Sequence, residues 1–141
     1  MRCSRWMAAA TLTLLSLGCS AVEVAGVTFN PQQEVAGQRL VLNGAGIRYK
    51  AVFKVYAAGL YLPQPSSQVD QAVNTASPKR LSITMLRDID AGELGKLFAR
   101  GMEDNMDRTA FSRLVPGVLR MSQIFSDHKK LVAGDSFVMK P

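Results

Sequence analysis

GAGIRYKAVFKVYAAGLYLP, Gly44 to Pro63, decides how this chain is read. A glycine-flanked arginine opens a run in which bulky, small and aromatic side chains alternate. Alternation with a period of two is the mark of a strand with two unlike faces. Pro63 and Pro65 end the run, because proline has no N–H to give a sheet ladder. Read as one unbroken strand at about 3.3 Å per residue, the run places Arg48 and Tyr56 on one face roughly 26 Å apart. On that reading they share a ligand only through a bend or bulge between them, or through a ligand long enough to touch both. Arg48 also has a plainer reading, an exposed strand arginine paired with Asp88 or Asp90.

Outward from this stretch, Val22 to Leu62 reads as strands. Short β-rich pieces at Val22–Val24, Val27–Phe29 and Arg39–Leu42 are separated by turn signals at Gly26, Asn30-Pro31, Gly37 and Asn43-Gly44. Ser66 to Ala76 has a short-helix pattern, with Ser66 or Ser67 as N-cap and Ser77-Pro78 as stop. Arg80 to Leu86 alternates again, with Leu81, Ile83 and Met85 on one face. Asp90 and Glu93 have capping-box spacing ahead of the stripe Leu94, Leu97, Phe98, Gly101, Met102, which predicts a helix with a core-facing side. A second helix is predicted through Phe111, Leu114, Val118 and Phe125, kinked or restarted at Pro116-Gly117. Lys129 to Gly134 reads as a loop and Ser136 to Met139 as the start of a strand. Strands, then helices, then a strand imply an α+β fold, with helices on one face of a mainly antiparallel sheet.

The first 21 residues are set apart from the fold. Arg2 and Arg5 precede an apolar run from Met7 to Leu17 and then small residues, the plan of a secretory signal; the run is too short to span a bilayer. Cleavage after Ala21 leaves residues 22–141 as one domain in the periplasm or outside the cell. The alternative is a lipoprotein route, in which Cys19 is lipidated and becomes the only membrane anchor; the mature form carries no transmembrane span. Both cysteines, Cys3 and Cys19, lie in this segment. The remainder has no disulfide, no thiol nucleophile and no cysteine metal site. One histidine, His128, leaves Ser-His-Asp chemistry and two-histidine zinc sites without a basis. The sequence points to no metal and no cofactor.

Setting aside Arg2 and Arg5 lowers the formal net charge from +6 to +4. The cations are scattered, with no arginine-rich run or aromatic-interleaved stripe, which argues against nucleic acid. A mild positive field suits an anionic ligand or a membrane surface.

Four segments resemble the chalcone isomerase-like family, in particular its exported bacterial branch: LNGAGIR (Leu42 to Arg48), FKVYAAGLYLP (Phe53 to Pro63), PKRLSITMLRDIDAGELG (Pro78 to Gly95), and SQIFSD followed by GDSF. The resemblance implies an open-faced β-sandwich, a large antiparallel sheet under a helical layer. Family members normally continue with a further β-hairpin and a terminal helix, so it also implies a short or C-terminally truncated chain.

Chalcone isomerases use an arginine, a threonine and a tyrosine–asparagine pair. Arg48 matches the arginine in its GAG-x-R context. The threonine position, in the family's K-F-T-A-I-G-V-Y-L run, is Tyr56 here, no tyrosine follows Tyr61, and Asn105 aligns only loosely. Those departures point away from catalysis, and no catalytic residue is assigned. Fatty-acid binders of the same superfamily hold a carboxylate with an arginine and a tyrosine, and Arg48 with Tyr56 resembles that pair. A guanidinium fork fits a carboxylate bidentately and a phenol adds a third donor. A tunnel of Ala57, Gly59, Leu97, Phe98 and Met102 would supply apolar contact. The resulting expectation is an exported, non-catalytic binder of a small apolar carboxylate such as a fatty acid. The alternatives are a ring-closing isomerase using Arg48 on developing negative charge, and an envelope interaction module without a small ligand.

Overall fold

The run after Gly46 is two strands rather than one. In the computed structural model, which describes residues 20–74 and 76–139, strand β4 (Gln38–Lys50) turns at Ala51-Val52 and returns as β5 (Phe53–Leu62). Neither turn residue is glycine or proline, so the usual signal is missing; Ala51 takes the left-handed backbone conformation at φ 52°. The signal segment read at residues 1–19 lies outside the described residues.

Ahead of this hairpin come β1 (Val22–Val24), β2 (Val27–Phe29) and β3 (Gln32–Val35). The turns at Ala25-Gly26 and Ala36-Gly37 have positive φ at both central residues, as two-residue hairpin loops favour. Asn43-Gly44, expected as a turn, is a bulge inside β4: the register steps from Leu42↔Tyr61 to Gly44↔Leu60. Its extra residue is used, since Asn43 Oδ1 accepts the Ser66 N–H at 2.7 Å.

Helix α1 (Val69–Asn74) is shorter than its pattern suggested, and β6 (Arg80–Met85) follows. Then come β7 (Ile89–Asp90), α2 (Ala91–Asp104), α3 (Arg108–Ser126), β8 (Lys130–Leu131) and β9 (Ser136–Met139). Asp90 caps α2 by accepting the Glu93 N–H at 3.1 Å, and Asp107 caps α3 by accepting from Thr109 and Ala110. Helix α3 runs through Pro116, so of the expected kink or restart the restart does not occur. The predicted loop after Lys129 contains β8, which pairs with β7. Among the described residues no helix is long and apolar enough to cross a membrane.

The main sheet is antiparallel in the order β3-β4-β5-β6-β9. One face carries Tyr56, Ala58, Leu60, Ile83, Met85 and Phe137 toward α2 and α3. Its core joins Val55, Met85, Ala91, Leu94 and Phe125. The other face buries Val35, Leu40 and Tyr61. There the β1–β2 hairpin lays Phe29 across Gly59, where an added Cβ would come within 2.6 Å of the ring. The sheet with helices on one face is the α+β arrangement that the sequence implied.

Candidate functional site

Arg48 and Tyr56 are register partners across β4 and β5. Partners in an antiparallel pair stand about 5 Å apart at Cα. The separation of some 26 Å expected of an unbroken strand is therefore corrected: the Ala51-Val52 turn folds the strand back and puts both side chains on the helix-facing side.

A second irregularity fixes their aim. The register moves from Arg48↔Tyr56 to Tyr49↔Lys54, so Val55 is an extra residue in β5. A bulge of this kind turns consecutive side chains toward one side and re-aims them. Val55, at 1% exposure, and Tyr56 accordingly pack against the same core. Beyond the bulge, alternation sends Ala58 and Leu60 to the helices and Ala57 and Gly59 to the opposite face. This corrects the expected tunnel: Ala57 and Gly59 do not line it.

The Tyr56 ring stacks on Phe98 of α2, with centroids 5.8 Å apart. Phe98 in turn stacks on Phe125 at 5.8 Å and meets the edge of Phe137 at 6.4 Å. Aromatic rings thus fill the space beside Tyr56 that an alkyl chain would need. Burial raises the Tyr56 hydroxyl above its usual pKa, and the Arg48 guanidinium partly opposes that rise. The phenol is therefore a neutral donor at physiological pH.

Neither carboxylate suggested for Arg48 reaches it. Asp88 pairs with Lys130 at 2.6 Å and accepts the Ala133 N–H at 3.1 Å, and both hold its carboxyl below the usual range. Asp90 serves as the α2 cap. Among the described residues the exposed Arg48 guanidinium has no ion-pair partner. Asn105 caps the C-terminus of α2, its side-chain amide donating to Gly101 O at 2.7 Å, and so is occupied structurally.

Lys50, on the same face of β4 as Arg48, reaches across to Glu93 of α2 at 3.3 Å. Glu93 also pairs with Lys96 at 2.9 Å. The two lysines lower the Glu93 pKa, Lys96 having the larger effect. This bridge borders two hollows. One, of ≈ 210 Å³, is lined by Lys50, Glu93, Lys96, Leu97 and Arg100. The other is a more apolar groove of ≈ 440 Å³ under the β4–β5 turn, reaching Phe53, Val55 and Ile89. The second volume is within the range of small-molecule sites. The sequence reading missed this basic rim. Its signal lay in the shared parity of residues 48 and 50 and in the i, i+3, i+4, i+7 spacing of Glu93, Lys96, Leu97 and Arg100. Among the described residues no cluster of His, Cys, Asp or Glu could hold a metal ion.

The family model described as chalcone isomerase-like matches residues 21–141. The chain belongs to the chalcone isomerase-like family. A crystal structure of an Arabidopsis thaliana fatty-acid binding protein resembles it with a TM-score of 0.69 at 13% identity, covering 86% of this chain and 72% of that one. At that identity the likeness establishes the family fold. No curated protein matches the sequence.

Proposed function

We propose that this chain is an exported, non-catalytic member of the family that binds a small apolar carboxylate, a fatty acid being the model ligand. The observation that carries the reading is the Arg48–Tyr56 register pair: an exposed guanidinium with no ion-pair partner among the described residues, beside a neutral phenol, on the helix-facing side of the sheet. Guanidinium and phenol together offer three donors to one carboxylate, and charge-assisted bonds of this type are the strong ones. The alkyl chain would follow the apolar groove under the β4–β5 turn or displace Phe98 from Tyr56. The likeness to a fatty-acid binding protein agrees with this ligand class. Export rests on the basic and then apolar pattern of residues 1–21, with cleavage after Ala21 or lipidation at Cys19.

Native mass spectrometry of protein from the exported fraction, beside Arg48→Ala, tests both parts. A co-purifying carboxylic lipid absent from the variant supports the binder, and the measured mass of the chain reports its N-terminus. Unliganded spectra from both, with no uptake of added palmitate, would reject it. A second reading, an interaction module without a small ligand, is favoured by the rings of Tyr56, Phe98, Phe125 and Phe137 filling the interior. Chalcone turnover that Arg48→Ala abolishes would instead assign a ring-closing isomerase.

A further inference from the structure

The β4–β5 turn projects apolar side chains into solvent. Val52 is 82% exposed, Phe53 56% and Tyr49 49%. Core packing does not account for them, because the neighbouring core cluster begins at Val55. Cations flank them. Lys50 and Lys54 alternate with them along the chain, and the Arg87 guanidinium lies 4.7 Å from the centre of the Phe53 ring. The sequence from Val35 to Val69 contains no aspartate or glutamate at all. The acids that approach in space are already engaged: Asp88 with Lys130, Glu93 with Lys50 and Lys96, and Asp90 with the α2 N-terminus.

Exposed aliphatic and aromatic groups at a protruding tip, ringed by lysine and arginine, match the two layers of an anionic bilayer surface. Apolar side chains enter the acyl boundary, tyrosine rests at headgroup depth, and cations meet the phosphates. Ala51 keeps a left-handed φ at the tip, a conformation that costs an alanine energy. We propose that the β4–β5 turn is a membrane-docking tip, with an anionic phospholipid bilayer as its partner. The groove beneath it, of ≈ 440 Å³, would then open toward the lipid surface. Docking rests on the hairpin alone and not on the fatty-acid reading.

The chain's one tryptophan is Trp6, so Trp6→Phe with Val52→Trp gives a single reporter at the tip. With phosphatidylglycerol vesicles, emission of the tip tryptophan should shift to the blue and be quenched by brominated acyl chains. Neutral phosphatidylcholine vesicles should do neither. Adding Lys54→Gln, which removes the tip lysine that is not paired with Glu93, should weaken partition about fivefold. Salt at about 0.5 M should weaken it without any substitution.

Unchanged tip emission on phosphatidylglycerol overturns the proposal. So does vesicle binding that leaves the tip in water, which would transfer docking to another part of the chain. A blue shift that grows with protein concentration in the absence of vesicles overturns it in favour of self-association. Palmitate titration in vesicle-free buffer separates the two hypotheses. Val52→Asp should lose the vesicles and keep the fatty acid, whereas Arg48→Ala should do the reverse.

Discussion

Tyr61 and Tyr56 lie on the same strand, β5, near its two ends and facing opposite sides of the sheet. Tyr61 is 1% exposed, packs with Val35 and Leu40, and donates its hydroxyl to Asn30 O at 2.9 Å. Tyr56 is half-buried, its ring held by Phe98, its hydroxyl beside a guanidinium that no carboxylate pairs with among the described residues. Burial raises the pKa of both phenols. Tyr61 therefore has its polar need met by the fold, while Tyr56 has polar capacity left over. Chemistry is therefore sought at the end of the strand where donors converge and the described residues supply no acceptor.

Removing each ring measures that contrast most strongly. Tyr61→Ala should cost about 3–5 kcal/mol of stability, as the loss of a fully buried aromatic does; Tyr56→Ala should cost clearly less. Denaturant unfolding with equal losses for the two would break the comparison. Next comes Arg48→Ala, which should leave stability within about 0.5 kcal/mol. The same change should weaken palmitate binding about tenfold or more, read by calorimetry.

The hydroxyls alone give a finer test. Tyr61→Phe should lose about 1 kcal/mol with its hydrogen bond. Tyr56→Phe should leave the melting temperature in place and weaken palmitate binding a few-fold. At the turn beyond Tyr56, Ala51→Gly should raise stability by about 0.5 kcal/mol, because glycine takes positive φ without strain at some entropic cost.

The smallest effect is expected in acid. Glu93 and Asp88 have lowered carboxyl pKa values in the folded state. Their contribution is complete above the ordinary carboxylate range and is lost as pH falls through it and below. Both pairs are solvated, so the loss should be slight. A chemical-shift titration that finds either carboxyl in the ordinary range would remove that contribution.

Much of the architecture was legible in local patterns. The Asp90 cap, the helical stripe from Leu94, the alternation of Arg80 to Leu86, and the strand at Ser136 all emerge in place, since each depends on neighbours in sequence. The Lys129 segment did not: β8 is two residues long and exists only through its pairing with β7. Pro116 does not restart the helix, because a proline within an exposed stretch removes one backbone bond without ending the element.

The candidate site divides along the same line. Local pattern in the chain pointed to strands and helices in an α+β arrangement, and the family resemblance singled out Arg48 and Tyr56 as candidates. Long-range pairing sets Arg48 and Tyr56 side by side, turns Ala57 and Gly59 away, and brings Phe98 into the space beside the phenol. The reason is physical. Periodicity records which face a side chain takes, but a two-residue turn without glycine or proline and a one-residue bulge at Val55 leave almost no local trace. Those two features set the register, and the register brings the candidate pair together.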